Sequence, residues 1–243
     1  MKIWVYSICW NEKLFLPFYL WHYSTIADKI IIYDHHSTDG SRTYMKKNHL
    51  VEIRDYDAPG IHEPSITSLY NNCYKEARGK ADWVILCDID EIVYDPDLWG
   101  TLKEYMELGV TVPRTIGYTM LHDAPPEFNY RQIYQDYKFG IPDFHFDKFA
   151  VLNPEVDIEF APGRHTAKFS QEVVYSPPKI KLLHYRYWGR EWIKKRNEIS
   201  FARLSKENIE NSWGYHLFPD RDNGGYYTPK WFDAEMENRV EVV

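Results

Sequence analysis

The chain has 243 residues, 44% of them hydrophobic and 27% charged, with a formal net charge of -7. This length and apolar content suit one large domain with a sizeable core, and the acidic balance argues against a nucleic-acid binder, which needs a basic stripe. No apolar run approaches the ~20 residues of a membrane span.

The first hundred residues alternate strand and helix. Residues 2–9 read as a strand, their apolar run too short and too aromatic for a signal peptide. Asn11 is expected to cap a helix from residue 12 to about 27, with Leu14, Phe18, Trp21 and Thr25 at helical spacing. Residues 29–33 (Lys-Ile-Ile-Ile-Tyr) form a β-branched strand, 34–40 a polar turn, and a short helix runs to about 47. Residues 51–56 are a further strand. Ile66, Leu69, Tyr70, Cys73, Tyr74 and Ala77 make an apolar helical stripe that Gly79 closes. A buried strand follows at 84–87, then a helix over 97–108 stopped by Gly109. This order predicts an α/β fold with a mostly parallel central sheet and helices on both faces.

Beyond residue 110 the pattern is less regular, and a smaller, sheet-rich C-terminal lobe is expected. Residues 111–121, 148–152, 159–169 and 180–185 read as strands, the middle two about Pro162-Gly163. A helix is expected over 190–208 and a loop-like tail from Gly214, through Gly224-Gly225 and Pro229. With no convincing linker, residues 1–243 read as one domain, in three stretches of 1–109, 110–217 and the tail 218–243. Cys9, Cys73 and Cys87 have no zinc or redox spacing and cannot all pair, which points to a reducing, cytoplasmic setting. The aromatic share of 17%, with 20 Tyr and 9 Trp, favours a site for sugar rings or bases.

Chemistry concentrates at strand ends. Trp83-Val-Ile-Leu-Cys-Asp-Ile-Asp-Glu91 is an apolar run ending in three carboxylates. A strand buried on both faces shows no polar alternation, and open α/β sheets bind ligands at the C-terminal ends of their strands. If the strand persists, Asp88 and Asp90 point the same way and can hold one divalent ion. Asn11-Glu12 and Asp34 with Ser37 and Asp39 end two neighbouring strands, so the three groups would converge on one crevice. No Gly-rich phosphate loop is present, which leaves phosphates to a metal and cationic side chains. His184, after Leu182-Leu183, is a candidate ligand for Mn²⁺, and Arg186, Arg190 and Lys194 to Arg196 can meet a diphosphate; the alternative is a core histidine before a solvated basic face. His165, on the turn Gly163-Arg164-His165-Thr166, can serve as a base or order the turn.

These pieces together resemble family 2 glycosyltransferases of the GT-A (Rossmann-like) fold. The resemblance rests on Asn11-Glu12, Ile31 to Ser41, and Trp83 to Glu91 with its Asp-x-Asp. In the second half it continues through Gly117 to Met120, Asp147-Lys148, Pro162 to His165, Leu182 to Arg186, Arg203 to Asn208 and Trp213 to His216. It implies a nucleotide-sugar donor, UDP-linked by preference, a glycan or other hydroxyl acceptor, Mn²⁺ or Mg²⁺, and inversion at the anomeric carbon. It further implies Asp34 on the nucleobase beside Asn11 and Glu12, Asp88 on the ribose or metal, and Asp90 with His184 on the ion. Lys148 and Arg186 would face the diphosphate, and His165, then Asp147, would be the base. His35-His36 stands where the family has a small polar pair. Other readings are a sugar-1-phosphate nucleotidyltransferase, which would carry a Gly-rich N-terminal loop, and a non-catalytic carbohydrate-binding protein, which leaves the Asp-x-Asp unexplained.

Overall fold

The computed structural model describes residues 1–218 and 227–243. Gly224-Gly225 lies outside the described residues. Two five-stranded sheets organise the chain. The first has the order β3-β2-β1-β4-β8, built from β1 (Ile3–Cys9), β2 (Lys29–Asp34), β3 (Val51–Asp55), β4 (Trp83–Leu86) and β8 (Val151–Leu152). β1 runs parallel to β2 and β4, and β2 to β3, while β8 closes the edge antiparallel to β4. Ile30, Ile31 and Ile32 are all buried, as are Trp83 to Leu86, the pattern of strands covered on both faces.

The two covers are distinct. Ile3, Val5 and Cys9 of β1 pack with Leu16, Phe18 and Tyr19 of α1 (Leu16–Tyr23). Tyr6 points to the other face and packs with Tyr70 of α3 (Glu63–Asn72) and with Tyr74 beyond it. α2 (Ser41–Met45) follows β2, and α4 (Leu98–Glu107) starts where the Asp97 side chain accepts a hydrogen bond from Gly100 N.

The second sheet has the order β12-β7-β6-β11-β5, from β5 (Glu91–Tyr94), β6 (Thr115–His122), β7 (Phe139–Pro142), β11 (Ile180–Trp188) and β12 (Val240–Glu241). Only β6 and β11 pair in parallel; the other three pairs are antiparallel. The expected lobe is thus as many-stranded as the first sheet, and β5, within the first hundred residues, belongs to it. One apolar cluster joins Ile3 and Val5 to Met120, Leu182 and Leu183, so both sheets share a core.

Several expected elements differ. Asn11 caps no helix: α1 starts four residues later than expected, with Phe15 at its N-cap, because Asn11 Oδ1 instead accepts from Thr38 N and Asp39 N. Trp21, placed in the apolar stripe, is exposed, and Leu16, Tyr19 and Tyr23 form the buried face. β6 starts at Thr115 because Thr111 N and Val112 N bind Val174 O and Pro113 has no N–H. The strand expected over 148–152 keeps only β8, since the carbonyl of Lys148 is taken by Thr115 Oγ1. The strand over 159–169 is an antiparallel hairpin, β9 (Ile158–Phe160) and β10 (Ala167–Phe169), turning at Pro162-Gly163. The helix over 190–208 breaks into α6 (Arg190–Ala202) and α7 (Lys206–Glu210). At the break Arg203 O and Ser205 N hydrogen-bond to Ile61, and Ser205 caps α7. After short α5 (Ile133–Asp136), the tail is structured: α8 (Pro229–Glu235) buries Trp231 and Phe232. Among the described residues no helix is long and apolar enough to cross a membrane.

Candidate active site

The C-terminal ends of β1 and β4 open into a cleft of about 580 Å³ whose walls include Trp10, Glu12, Asp88 and Asp90 from the first half and His184 and Arg186 from the second. β4 ends at Leu86, and the chain then turns, Glu91 N donating to Asp88 O and Asp88 N to Glu91 Oε2. The strand does not persist through the motif, and the two aspartates part ways. Asp88 turns to Arg164, whose Nη2 donates to Asp88 Oδ2 at 2.7 Å, and to Tyr70, whose hydroxyl donates to Oδ1 at 3.0 Å. Asp90 faces His184, with Oδ2 at 3.8 Å from Nε2.

Two buried ion pairs flank that junction. Glu91 is held by Lys148 at 2.5 Å, and although burial opposes its charge, Lys148 and Arg164 keep its carboxyl below the usual range. Lys148, expected at a diphosphate, is therefore already paired. Glu12 pairs with Arg196; burial nonetheless pushes its pKa to about 7, against the pull of Arg196, and Oε2 has no hydrogen-bond partner among the described residues. Glu12 and Arg186 line the cleft as expected. Arg186 Nη2 donates to Ser200 Oγ at 3.3 Å.

The residues that could hold a cation are Asp90 and His184. Among the described residues no three His, Cys, Asp or Glu side chains gather as a metal centre, and Asp88, expected as a ligand, is engaged by a guanidinium instead. A carboxylate and an imidazole are together suitable donors for a divalent ion. Burial lowers the pKa of His184, keeping it neutral as a ligand must be. Its ring stacks on Phe146 at 4.0 Å, and Nδ1 is buried without a partner among the described residues. Bonds of ~2.1 Å in octahedral geometry place cis donors ~3.0 Å apart, so the two atoms, 3.8 Å apart as they stand, would have to draw together to share an ion.

Three predicted residues are not brought to the cleft. Asp34, expected at a nucleobase, is fully buried and bound by Arg42 Nη1 at 2.9 Å. Asn11 ties down the turn at Thr38 and Asp39. Asp147 Oδ1 accepts from Gly117 N at 2.7 Å. His165 does line the cleft, its Nδ1 at 2.5 Å from the carbonyl of His145. Partial burial and nearby Lys148 lower its pKa.

Sequence reasoning missed several cleft residues. Arg164 is buried, with its guanidinium 3.8 Å over the Tyr70 ring. Gly163 (φ 77°) and Arg164 (φ 58°) are both left-handed, so the tight turn that sequence does signal is what drives the arginine inward. Arg203 lies 3.3 Å over Trp10 and donates to His35 Nδ1 at 3.1 Å, contacts across 168 or more residues that no local pattern reveals.

No family model and no curated protein matches the chain. Solved structures do. The chain is similar to S. aureus TarS at 11% identity, with 93% of this chain and 44% of that chain covered and a TM-score of 0.41. It spans less than half of that protein's length. TarS 1-349 in complex with UDP-GlcNAc matches at 12% identity over 92% of this chain and 75% of that one, with a TM-score of 0.43. Glucosyl-3-phosphoglycerate synthase from Mycobacterium tuberculosis, in complex with Mn²⁺, UDP and glucosyl-3-phosphoglycerate, matches at 17% identity over 48% of this chain and 44% of that one, with a TM-score of 0.35. At such scores the architecture rests on the sheet orders and registers given above.

Proposed function

We propose that this protein is a divalent-cation-dependent glycosyltransferase that moves a sugar from a UDP-linked donor to a hydroxyl acceptor with inversion. The observation that carries the reading is the facing pair of Asp90 and His184 in a cleft at strand ends, beside Arg164, Arg186 and Arg196. Asp90 and His184 would hold Mn²⁺ or Mg²⁺, which supplies charge neutralisation to a departing diphosphate. Arg186 lies free to meet the same phosphates in part, and Lys148 adds positive potential from its pair with Glu91. Asp88 accepts ribose hydroxyls on its remaining lone pairs while Arg164 and Tyr70 fix its orientation.

On the acceptor side, a carbonyl can only accept, so His165 Nδ1 carries the ring proton in its contact with residue 145 and Nε2 carries the lone pair. The acceptor oxygen attacks the anomeric carbon, the bond to the diphosphate oxygen breaks on the opposite face, and the hydroxyl proton passes to His165 Nε2.

Isothermal titration of UDP with and without Mn²⁺ tests the reading on wild type, Asp90→Ala and His184→Ala, with circular dichroism as the folding control. The expectation is Mn²⁺-linked UDP binding that both variants lose. Equal UDP affinity with and without Mn²⁺ in wild type, or unchanged binding in both variants, overturns it.

A further inference from the structure

The turn that carries His145 is built more firmly than a cleft wall requires. Asp143 is buried and its carboxylate takes four hydrogen bonds. Oδ2 accepts from Thr119 Oγ1 at 2.7 Å and Tyr227 Oη at 2.8 Å; Oδ1 accepts from His145 N at 3.1 Å and His145 Nδ1 at 3.0 Å. Burial opposes its charge, but the donors from Thr119, Tyr227 and His145 outweigh it and hold the carboxyl below its usual range. The turn is also strapped to β6 at Gly117 from both ends, Asp143 N donating to Gly117 O and Gly117 N to Asp147 Oδ1. A Cβ at Gly117 would come within 2.4 Å of Asp143 O and of the Phe146 carbonyl carbon, so only glycine allows this approach. The carbonyl that this strapped turn presents is the one bound by His165 Nδ1.

We propose that Asp143 is the positioning residue of the acceptor-activating base: it fixes residue 145 so that the carbonyl there holds His165 in the Nδ1–H tautomer, with Nε2 free to take a proton. A neutral imidazole has one ring proton, and the group bound at one nitrogen decides which nitrogen is left as the base. The partner of an imidazole acts through this choice of tautomer and direction rather than by moving a proton itself. Asp147, the second candidate base, is on this view part of the strap. The proton balance is unchanged: one proton leaves the acceptor hydroxyl and arrives at His165 Nε2, and Asp143 stays ionised throughout.

The inference rests on the glycosyl-transfer reading for what the base does, but its first test needs no turnover. Imidazole ¹⁵N shifts should show His165 as the Nδ1–H tautomer in wild type and as a mixture in Asp143→Asn. The amide in that variant keeps its oxygen on Thr119 and Tyr227 and turns its NH₂ against the His145 N–H. With UDP-sugar, Mn²⁺ and acceptor, Asp143→Asn should lower kcat by about 10–100-fold, leave Mn²⁺-linked UDP affinity intact and shift the acid limb of the kcat profile. Tyr227→Phe, which removes one donor and keeps the ring, should move the same readouts less and serves if Asp143→Asn does not fold. His145→Ala keeps the carbonyl and the main-chain N–H and should lose less activity than His165→Ala. An unchanged tautomer and acid limb in folded variants overturns the proposal, as does a loss in His145→Ala equal to that in His165→Ala, which would make His145 the base. A wild type with the expected tautomer response but no transfer overturns the glycosyl-transfer reading alone.

Discussion

The ends of β2 and β4 each place an aspartate against an arginine, and the two pairs are inside out relative to each other. At β2, Asp34 is 0% exposed and Arg42 35%, at 2.9 Å. At β4, Asp88 is 41% exposed and Arg164 5%, at 2.7 Å. An identical local recipe, a buried parallel strand followed by aspartate, therefore gives a sealed structural pair in one place and a carboxylate turned to the cleft in the other. What decides is the origin of the arginine. Arg42 comes from the next helix and covers its aspartate from the solvent side, whereas Arg164 comes from a distant strained turn and supports its aspartate from beneath.

The inversion predicts which half of each pair is dangerous to remove. Breaking a buried pair costs about 3–5 kcal/mol when the remaining charge stays buried. Asp88→Ala strands Arg164, and Arg42→Ala strands Asp34, so each should lose on that scale in urea unfolding. The reciprocal variants leave a charge that water can reach. Arg164→Ala and Asp34→Ala, whose Arg42 keeps Asp55 at 2.6 Å, should lose about 1–3 kcal/mol, the cost of one charged hydrogen bond. Equal losses within a pair would break the comparison.

Acid sharpens it, because the core has its own proton-sensitive group against which the pairs must be measured. Burial lowers the pKa of His22 to about 4, and Nε2 lies 3.0 Å from Val93 O. The folded state thus binds this proton less readily than the unfolded state does. The associated stability is complete above the unfolded value near 6.5 and falls as pH drops toward 4, by roughly 1.4 kcal/mol per pH unit at most. Chemical unfolding at pH 7 and pH 5 should show this loss in wild type, and His22→Gln should lessen it without abolishing it, because burial also holds His122 and His216 low. The smallest effect is a calibration. Asp97 has a capping role at α4 and no cation in its bond to Gly100 N at 3.0 Å, so Asp97→Ala should lose only about 1 kcal/mol.

The legible parts of this molecule are those whose cause is local. The Ile30 to Ile32 and Trp83 to Leu86 strands show in sequence because burial on both faces leaves an unbroken apolar run. β5 stayed hidden since Glu91 reads as the last carboxylate of a motif while its side chain is buried against Lys148, 57 residues away. The tail looked structureless because Trp231 and Phe232 find their burial against distant elements. Strand-end logic brings Glu12, Asp88, Asp90 and His184 to the cleft, though Asp88 is engaged by a guanidinium rather than set beside Asp90. Their partners Arg196 and Arg164 were not legible, and it is the partners that set whether an acid faces the ligand.

Strand β12 has one more consequence. It is two residues long, both exposed, and it pairs with β7 at Gly140 and Phe139, anchored where Val242 N binds Lys138 O and Lys181 Nζ binds Val242 O. This short ribbon covers main-chain groups that would otherwise be an open template for another chain. β8 does the same at one edge of the first sheet, so one edge of each sheet is a two-residue stub, while β3 and β5 form the opposite edges. Stripping residues 238–243 would leave β7, with exposed Phe139, as a bare edge, and the penalty would be self-association rather than a change in chemistry.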